Sequence, residues 1–317
     1  MADQHRTMAW FGLASALLVA AGFLVPGWLL NQMLFGLARG LAVLGLLVLW
    51  RAGLVSLGGA LYVGLGAYSI ALMQRGAGID DAVLLIMLAS TMSAIVGFVL
   101  GFLLRRYRGI FFAMMNLAFS MILYGAVVKN ETLGSTDGFS IAQPSFLGVS
   151  FEDAANTKIV LFALSVGMSY GVMYFVHVYW NSTLGWIGTA IRDNEIRVEY
   201  LGYSVERAIH IKYTISAFLG GLGGAFLALS LGQVDPDSMI NWVVSGELLF
   251  VMILSGTASV VAPFIGSFLF ELLRTYALEL APIAWQFIIG ATLVLLIFFA
   301  PNGLLSPFDR MIRGKRV

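Results

Sequence analysis

The chain has 317 residues, of which 60% are hydrophobic and 11% are charged, and its formal net charge is +1. A soluble domain of this length needs about 25% charged residues to cover its surface, so lipid must cover much of this protein. The absence of cysteine excludes disulfides, thiolate catalysis and cysteine-based metal sites.

Ten apolar segments are candidates for membrane spans, because a span needs about 20 predominantly apolar residues. They are residues 8–26, 28–50, 59–74, 82–104, 109–128, 158–180, 214–232, 246–258, 260–278 and 284–300. The first resembles a signal peptide, but no small-residue cleavage site follows before Pro26, and we therefore predict a retained span. The sequence thus predicts an all-α integral membrane protein of about ten transmembrane helices, with residues 1–317 forming a single membrane domain.

Residues 51–68 carry Ser56, Gly58 and Gly59 between two apolar runs. One interpretation is a plain turn after the second span. The other is a broken helix at membrane depth, whose free backbone groups face a polar pathway and which changes the number of spans by one. The sequence leaves both interpretations open.

The basic residues are distributed unevenly between the two sides of the predicted spans. With a cytoplasmic N-terminus, thirteen fall on the cytoplasmic side, namely Arg6, Arg51, Arg105, Arg106, Arg108, Arg192, Arg197, Arg207, Lys212, Arg310, Arg313, Lys315 and Arg316. Three fall on the opposite side, namely Arg75, Lys129 and Lys158. The positive-inside rule therefore predicts that both termini are cytoplasmic. The same arrangement makes residues 129–157 an external loop and residues 181–213 the longest cytoplasmic loop.

Arg39, Glu271 and Arg274 are charged residues inside predicted spans. Arg39 lies about 16 Å along its helix from either end, which is too far for snorkelling, and we expect it to face protein or water. Glu271 and Arg274 are three residues apart, so they can neutralise each other on one helix. A contact with substrate or an ion is the functional interpretation, since charges at membrane depth are costly. The preferred interpretation is a structural pair near a helix end.

The sequence carries no motif of a catalytic or metal-binding protein. It has no P-loop of the form G-x-x-x-x-G-K-[ST], no G-x-S-x-G nucleophile elbow and no H-E-x-x-H motif. His5, His177 and His210 match no metal-ligand spacing. We therefore expect a non-catalytic chain that binds no metal and no cofactor of its own.

An amphipathic pattern lies within the predicted cytoplasmic loop. The residues that recur at three- or four-residue spacing are Ala190, Ile191, Asn194, Val198 and Leu201. Charged residues lie between them, and Gly202 follows as a natural left-handed cap, so the sequence predicts one short helix that ends there. Periodicity alone leaves two interpretations open. The helix either lies in the membrane interface or docks in a groove on a cytoplasmic partner.

The same segment carries a resemblance to a known family. Its residues are Gly185, Ala190, Ile191, Arg192, Asp193, Asn194, Glu195, Leu201 and Gly202. They are similar to the cytoplasmic coupling loop of ABC importer permeases of the branched-chain amino acid type, the LivM-like family. Further similar segments are residues 52–58 with 64–68, 108–113 with 117–119, 136–138, 215–224 and 301–304. The resemblance runs in one order from about residue 40 to residue 304. Gly59 departs from it where the family usually has His, and Asn116 departs where the family usually has Thr.

The resemblance implies that the chain forms one half of the membrane part of an ATP-driven importer in a bacterial inner membrane. The expected partners are a second, related permease subunit, two ATPase subunits that hold ATP and Mg²⁺, and a periplasmic or external solute-binding protein. No nucleic acid is expected. The family's usual solutes are branched-chain amino acids, although relatives of similar appearance handle urea, amides or other small solutes. Residues 190–195 with Gly202 are the implied contact with the ATPase subunits.

The candidate residues of the substrate pathway are Ser56, Gly58, Gly59, Phe111, Phe112 and Asn116. For the two phenylalanines, ordinary packing is the favoured alternative. The rival function is a secondary transporter of small solutes that works without ATPase subunits. Such a transporter typically shows an inverted repeat and paired membrane acids, and the sequence shows only a weak internal repeat and no such pair.

Overall fold

The computed structural model describes residues 12, 15–20, 22–149, 151, 153–257, 259–299 and 303. Residues 8–11, 13, 14 and 21 of the predicted span 8–26, the basic residues near both termini and most of the segment 301–304 lie outside these residues. From Gly27 onward, the described chain forms twelve α-helices: α1 Gly27–Trp50, α2 Gly59–Ala77, α3 Ala82–Leu104, α4 Gly109–Val128, α5 Ala154–Trp180, α6 Thr183–Asp193, α7 Glu195–Tyr200, α8 Val205–Leu231, α9 Pro236–Met239, α10 Trp242–Ser255, α11 Ala262–Leu280 and α12 Trp285–Phe299.

Six helical segments of the described chain are long and apolar enough to cross a membrane. They are Gly27–Trp50, Ala82–Leu104, Gly109–Val128, Ala155–Trp180, Val205–Leu231 and Pro236–Ser255. These segments support the predicted all-α membrane fold, whereas the number of ten spans is not confirmed. The helices α2 and α11 coincide with two predicted spans but are not among the six, and α12 contains only a shorter apolar stretch.

The helix α8 lies at the centre of the bundle, and its glycines allow close backbone contacts with its neighbours. A Cβ atom on Gly223 would lie 2.5 Å from the carbonyl oxygen of Ala38 in α1. A Cβ atom on Gly220 would lie 2.7 Å from the Cβ of Tyr62 in α2. Small residues at such interfaces let membrane helices pack backbone to backbone. The predicted span 214–232 therefore belongs to the core helix around which α1, α2 and α3 pack.

Polar side chains cap the N-termini of many of the helices. The side chains of Asp81, Asp153, Ser182, Ser204 and Asn241 each accept a hydrogen bond from a backbone N–H in the first turn of the helix that follows. Because these donors have no partner within the helix, such caps fix where each helix starts. They correct two sequence boundaries. The helix α5 begins at Ala154 inside the predicted external loop, and α8 begins at Val205 inside the predicted cytoplasmic loop.

The connection between α1 and α2, residues 51–58, is not helical, and Leu54 and Ser56 within it are buried. A Cβ atom on Gly58 would lie 2.7 Å from the carbonyl oxygen of Asn116, seven residues into α4. Seven residues of helix rise about 10 Å, so the chain enters the bundle before α2 begins. Irregular backbone at such depth is tolerated where protein surrounds it. The connection joins α1 and α2, which correspond to the predicted spans 28–50 and 59–74, so it does not change the number of helical segments predicted here.

The predicted external loop is hydrogen-bonded to three other parts of the chain. Its strand β1 Phe139–Ser140 pairs antiparallel with β2 Gln233–Val234, which directly follows α8. The N–H of Ala142 donates to Oε1 of Gln74 near the end of α2 at 3.1 Å. The N–H of Leu147 donates to the carboxylate of Asp81, the cap of α3. The loop therefore contacts the ends of α2, α3 and α8.

Candidate functional site

The predicted coupling helix consists of two helices, α6 and α7. They meet at Asn194, whose backbone is extended, with φ −162° and ψ 104°. Its side chain accepts a hydrogen bond from the N–H of Arg197 at 3.0 Å and so caps α7. The prediction of one continuous helix is wrong here, because asparagine favours the cap position over the helix interior. Gly202 follows with a φ of +85°, the left-handed conformation that the sequence predicted.

The pair α6–α7 has one apolar side buried against the bundle and another exposed. The buried residues are Ile187, Ile191 and Val198. The exposed residues are Trp186, Ile196, Tyr200 and Leu201, which are 64%, 64%, 88% and 75% exposed. Ala190 is also exposed. Of the residues at the predicted spacing, Ala190 and Leu201 are exposed and Ile191 and Val198 are buried, so they do not form one apolar face.

Two charged residues of the predicted coupling segment contact the ends of membrane helices. The guanidinium of Arg108, next to the start of α4, donates to both carboxylate oxygens of Glu195, at 2.7 Å from Nη2 and 3.0 Å from Nε. The guanidinium carbon of Arg192 lies 5.8 Å from the ring centroid of Trp50, the last residue of α1. Asp193 is exposed. A displacement of α6–α7 would therefore act directly on α1 and α4.

Most of the candidate pathway residues lie in the protein interior. The N–H of Gly58 lies 3.3 Å from Oγ of Ser56, and Gly59 begins α2 directly behind them. Phe112 and Asn116 are fully buried on the face of α4 that meets this connection, whereas Phe111 is 69% exposed. Adjacent helix residues point in different directions, so Phe111 lies outside the group. The structure brings the other five together.

Asn116 joins α4 to α8 through a buried hydrogen bond. Its Oδ1 accepts from the hydroxyl of Tyr213 at 2.6 Å, and its Nδ2 donates to the carbonyl of Phe112 at 2.8 Å. The ring of Tyr213 packs edge-on against Tyr62 of α2, with the centroids 5.7 Å apart. Sequence reasoning missed Tyr213, because the span was predicted to begin one residue later. An earlier start at the cap residue Ser204 would have placed it inside the helix.

Replacing Tyr213 with phenylalanine is expected to lower the free energy of unfolding by about 1 kcal/mol, because the Oδ1 of Asn116 then loses its donor inside the bundle. The matched control is Tyr276→Phe, which removes the hydroxyl of a tyrosine that is 53% exposed. Unfolding in increasing SDS, followed by tryptophan fluorescence, measures both variants. Equal unfolding curves for Tyr213→Phe and the unsubstituted chain would contradict the importance of this bond.

Four charged residues meet between α1, α10 and α11, and we call them the charge cluster: Arg39, Glu247, Glu271 and Arg274. Nη1 of Arg39 lies 2.6 Å from Oε2 of Glu247, and its Nε lies 2.6 Å from Oε1 of Glu271. Nη1 of Arg274 lies 3.6 Å from the same Glu247 oxygen. Arg39 and Glu271 are 8% and 5% exposed. The cluster is electrically neutral, with two cations and two anions.

The charge cluster corrects the expected pairing of these residues. Glu271 contacts Arg39 and Arg274 contacts Glu247, so the prediction that Glu271 and Arg274 neutralise each other on one helix is wrong. A buried carboxylate is better compensated by a guanidinium at 2.6 Å from the facing helix. Sequence reasoning also missed Glu247, although it is a charge inside a predicted span. Two acids therefore do lie close together within the bundle. Arg39 faces protein, which is one of the two surroundings expected for it.

Comparisons with known proteins place the chain in a family. The profile of the family described as "Branched-chain amino acid transport system / permease component" matches residues 28–297. The chain belongs to this family. The chain is also 27% identical over 287 residues to the "High-affinity branched-chain amino acid transport system permease protein LivM" of Escherichia coli (strain K12), covering 83% of this chain and 67% of that protein. The protein of the same name from Salmonella typhimurium (strain LT2) is 28% identical over 287 residues, with the same coverage. No solved structure gives a significant match.

Family membership confirms the expected LivM-like permease, a membrane-spanning subunit of an ABC importer, and the alternative of a secondary transporter is not supported. The matched range of this permease includes the pair α6–α7, the pathway candidates and the charge cluster. A family of transport permeases fits a subunit without catalytic chemistry of its own. The two acids of the charge cluster therefore do not indicate ion coupling, since both are held by arginines.

Proposed function

We propose that this permease forms half of the translocation pathway of an importer for branched-chain amino acids. It would assemble with a second, related permease, two ATPase subunits that hold ATP and Mg²⁺, and an external or periplasmic solute-binding protein. The solute is proposed from the names of the relatives. Ser56, in the connection before α2, and Asn116, in α4, add support, because both are neutral polar side chains buried within the membrane bundle.

The observation that carries the proposal is the exposed apolar surface of α6–α7 together with its charged contacts to the bundle. An apolar surface of this kind on a soluble loop indicates a partner protein. On the opposite side, Arg192 and Glu195 contact residues at the ends of α1 and α4. A coupling role needs both properties, a docking face and a connection to the pathway helices. ATP-driven closure of the ATPase pair would then bias one packing of the helices over the other.

The proposed orientation places both termini and α6–α7 in the cytoplasm of a bacterium, with the chain in the inner membrane. The supporting observation is the excess of arginine and lysine on the side of α6–α7. The loop that follows α4, predicted over residues 129–157, would then face outward and form part of the surface that meets the solute-binding protein.

The experiment is a mild-detergent purification of the tagged chain from its native host, with the co-purified proteins identified by mass spectrometry. We expect two ATPase subunits and a second permease in matched amounts. Uptake of leucine, isoleucine and valine by vesicles that contain the complex then tests the solute. Recovery of the chain alone, or as a self-oligomer that transports without ATP, would contradict the assembly.

A further inference from the structure

An apolar groove of about 440 Å³ lies on α8 between α3 and α5. It is lined by Ala94, Gly171, Val172, Phe175, Ile215 and Phe218 among others. The hydroxyl of Thr214 also borders it but donates to the carbonyl of His210 at 3.0 Å, so it presents no free polar group. The groove lies on three helices that cross the membrane, and it therefore faces the lipid phase or another membrane component.

Two cations of α8, Arg207 and Lys212, precede the lining residues of the groove on the side towards α6, and neither of them lines it. On α8, Arg207 precedes Thr214 by seven residues and Phe218 by eleven, so it lies on the same helical face. Lys212 precedes Ile215 by three residues and Leu219 by seven. On α5, Tyr179 follows Phe175 by one helical turn and contacts Lys212. From Phe218 to Arg207 the axial rise is about 16 Å, so the apolar groove leads directly to a basic end.

Lys212 is 1% exposed and has no carboxylate partner among the described residues. Its Nζ donates to the hydroxyl of Tyr179 at 3.1 Å and lies 4.9 Å from the centroid of the same ring. An ammonium group has three donors, and a buried charge without a counter-charge is costly. Arg207 is exposed and likewise forms no ion pair within the described chain. This end of the groove therefore lacks an anion.

We propose that the groove binds an anionic phospholipid, with one acyl chain along α8 and the phosphate at the exposed Arg207, where the buried charge of Lys212 adds electrostatic attraction. Basic pockets between membrane helices are the established physical basis for binding anionic headgroups. A transmembrane helix of the partner permease would need a channel about 10–12 Å wide, and such helices rarely carry acidic residues that could supply the missing anion. Because Lys212 also contacts Gly188 of α6, the lipid would lie beside the proposed coupling helices. The site does not depend on the proposed importer assembly.

The test is native mass spectrometry of the full chain with its co-purified subunits, after incubation with phosphatidylglycerol or phosphatidylcholine of identical acyl chains. We expect phosphatidylglycerol to be retained preferentially. Gly171→Leu fills the groove, where a Cβ atom has no neighbour within 4 Å, and should abolish this retention. Gly290→Leu in α12 is the matched control, since its Cβ atom is equally free and lies outside the groove, and it should bind like the unsubstituted chain.

The cations are tested separately. Arg207→Gln and Lys212→Met should each reduce the preference for phosphatidylglycerol roughly fivefold and leave the binding of phosphatidylcholine unchanged. Arg207 is exposed, so its variant remains informative if Lys212→Met fails to fold. Retention of phosphatidylglycerol by Gly171→Leu, or an unchanged preference in Arg207→Gln, would overturn the proposal. Displacement of the lipid by inorganic phosphate alone would also overturn it, by showing a site for the free anion.

Discussion

Replacing Arg39 with methionine is expected to destabilise the permease by about 3–5 kcal/mol, because the change leaves buried carboxylates without their cation. Glu271 loses the guanidinium that lies 2.6 Å away, and Glu247 keeps only Arg274 at 3.6 Å. Methionine preserves most of the side-chain volume, so the effect reports the lost charge more than a cavity. Unfolding in SDS and the yield of monodisperse complex both measure the loss.

The matched control for Arg39→Met removes the negative charges at the same time. The triple variant Arg39→Met, Glu247→Gln and Glu271→Gln removes both carboxylates of the charge cluster together with their cation, so we expect it to recover a large part of the lost stability. Arg39→Lys should fall between the two, since an ammonium cannot contact both carboxylates in the fork geometry of the guanidinium. A stability of Arg39→Met equal to that of the unsubstituted chain would show that the charge cluster does not hold α10 and α11 against α1.

Alanine at Glu195 and Arg192 is expected to lower the ATPase activity that solute and binding protein stimulate, by roughly two- to thirtyfold, while membrane insertion stays normal. The Arg108–Glu195 pair is about one-third exposed, so its loss should cost little stability. Its effect should appear in the transmission of motion between α7 and α4. The measurement is ATP hydrolysis by the reconstituted complex, with and without loaded binding protein.

A charge exchange separates coupling from folding. Arg108→Ala should reproduce the Glu195→Ala defect, because it breaks the same pair from the membrane side. The double variant Arg108→Glu with Glu195→Arg restores opposite charges and should regain part of the stimulation. Unchanged stimulation in Glu195→Ala and Arg192→Ala would remove both residues from the proposed coupling role.

The parts of the fold that follow from local pattern could be predicted from the sequence. Apolar length located α1, α3 and α4 to within one residue, and Gly202 marked the end of α7 because only a few residue types adopt the left-handed conformation readily. The break at Asn194 was harder to see. The residue fits the apolar spacing of a continuous helix, and only its preference for capping argues against it.

The contacts between distant segments could not be predicted in the same way. Arg39 and Glu247 are separated by 208 positions, and the sequence holds no local signal that joins them. Their contact depends on how α10 packs against α1. The bond between Asn116 and Tyr213 has the same origin, since it requires α4 and α8 to lie side by side. The sequence drew attention to Asn116 and Glu271 but not to Glu247, and the contacts of all three depend on tertiary packing.

The hydrogen bonds of the loop after α4 have a mechanical consequence. Through β1, Ala142 and Leu147, this loop is fastened to the ends of α8, α2 and α3. A force on the loop is therefore shared among three helices instead of being absorbed by bending of one flexible segment. A protein that binds this surface would therefore contact a rigid surface attached to three helices. One of them, α8, also contacts α6 and α7 near its other end.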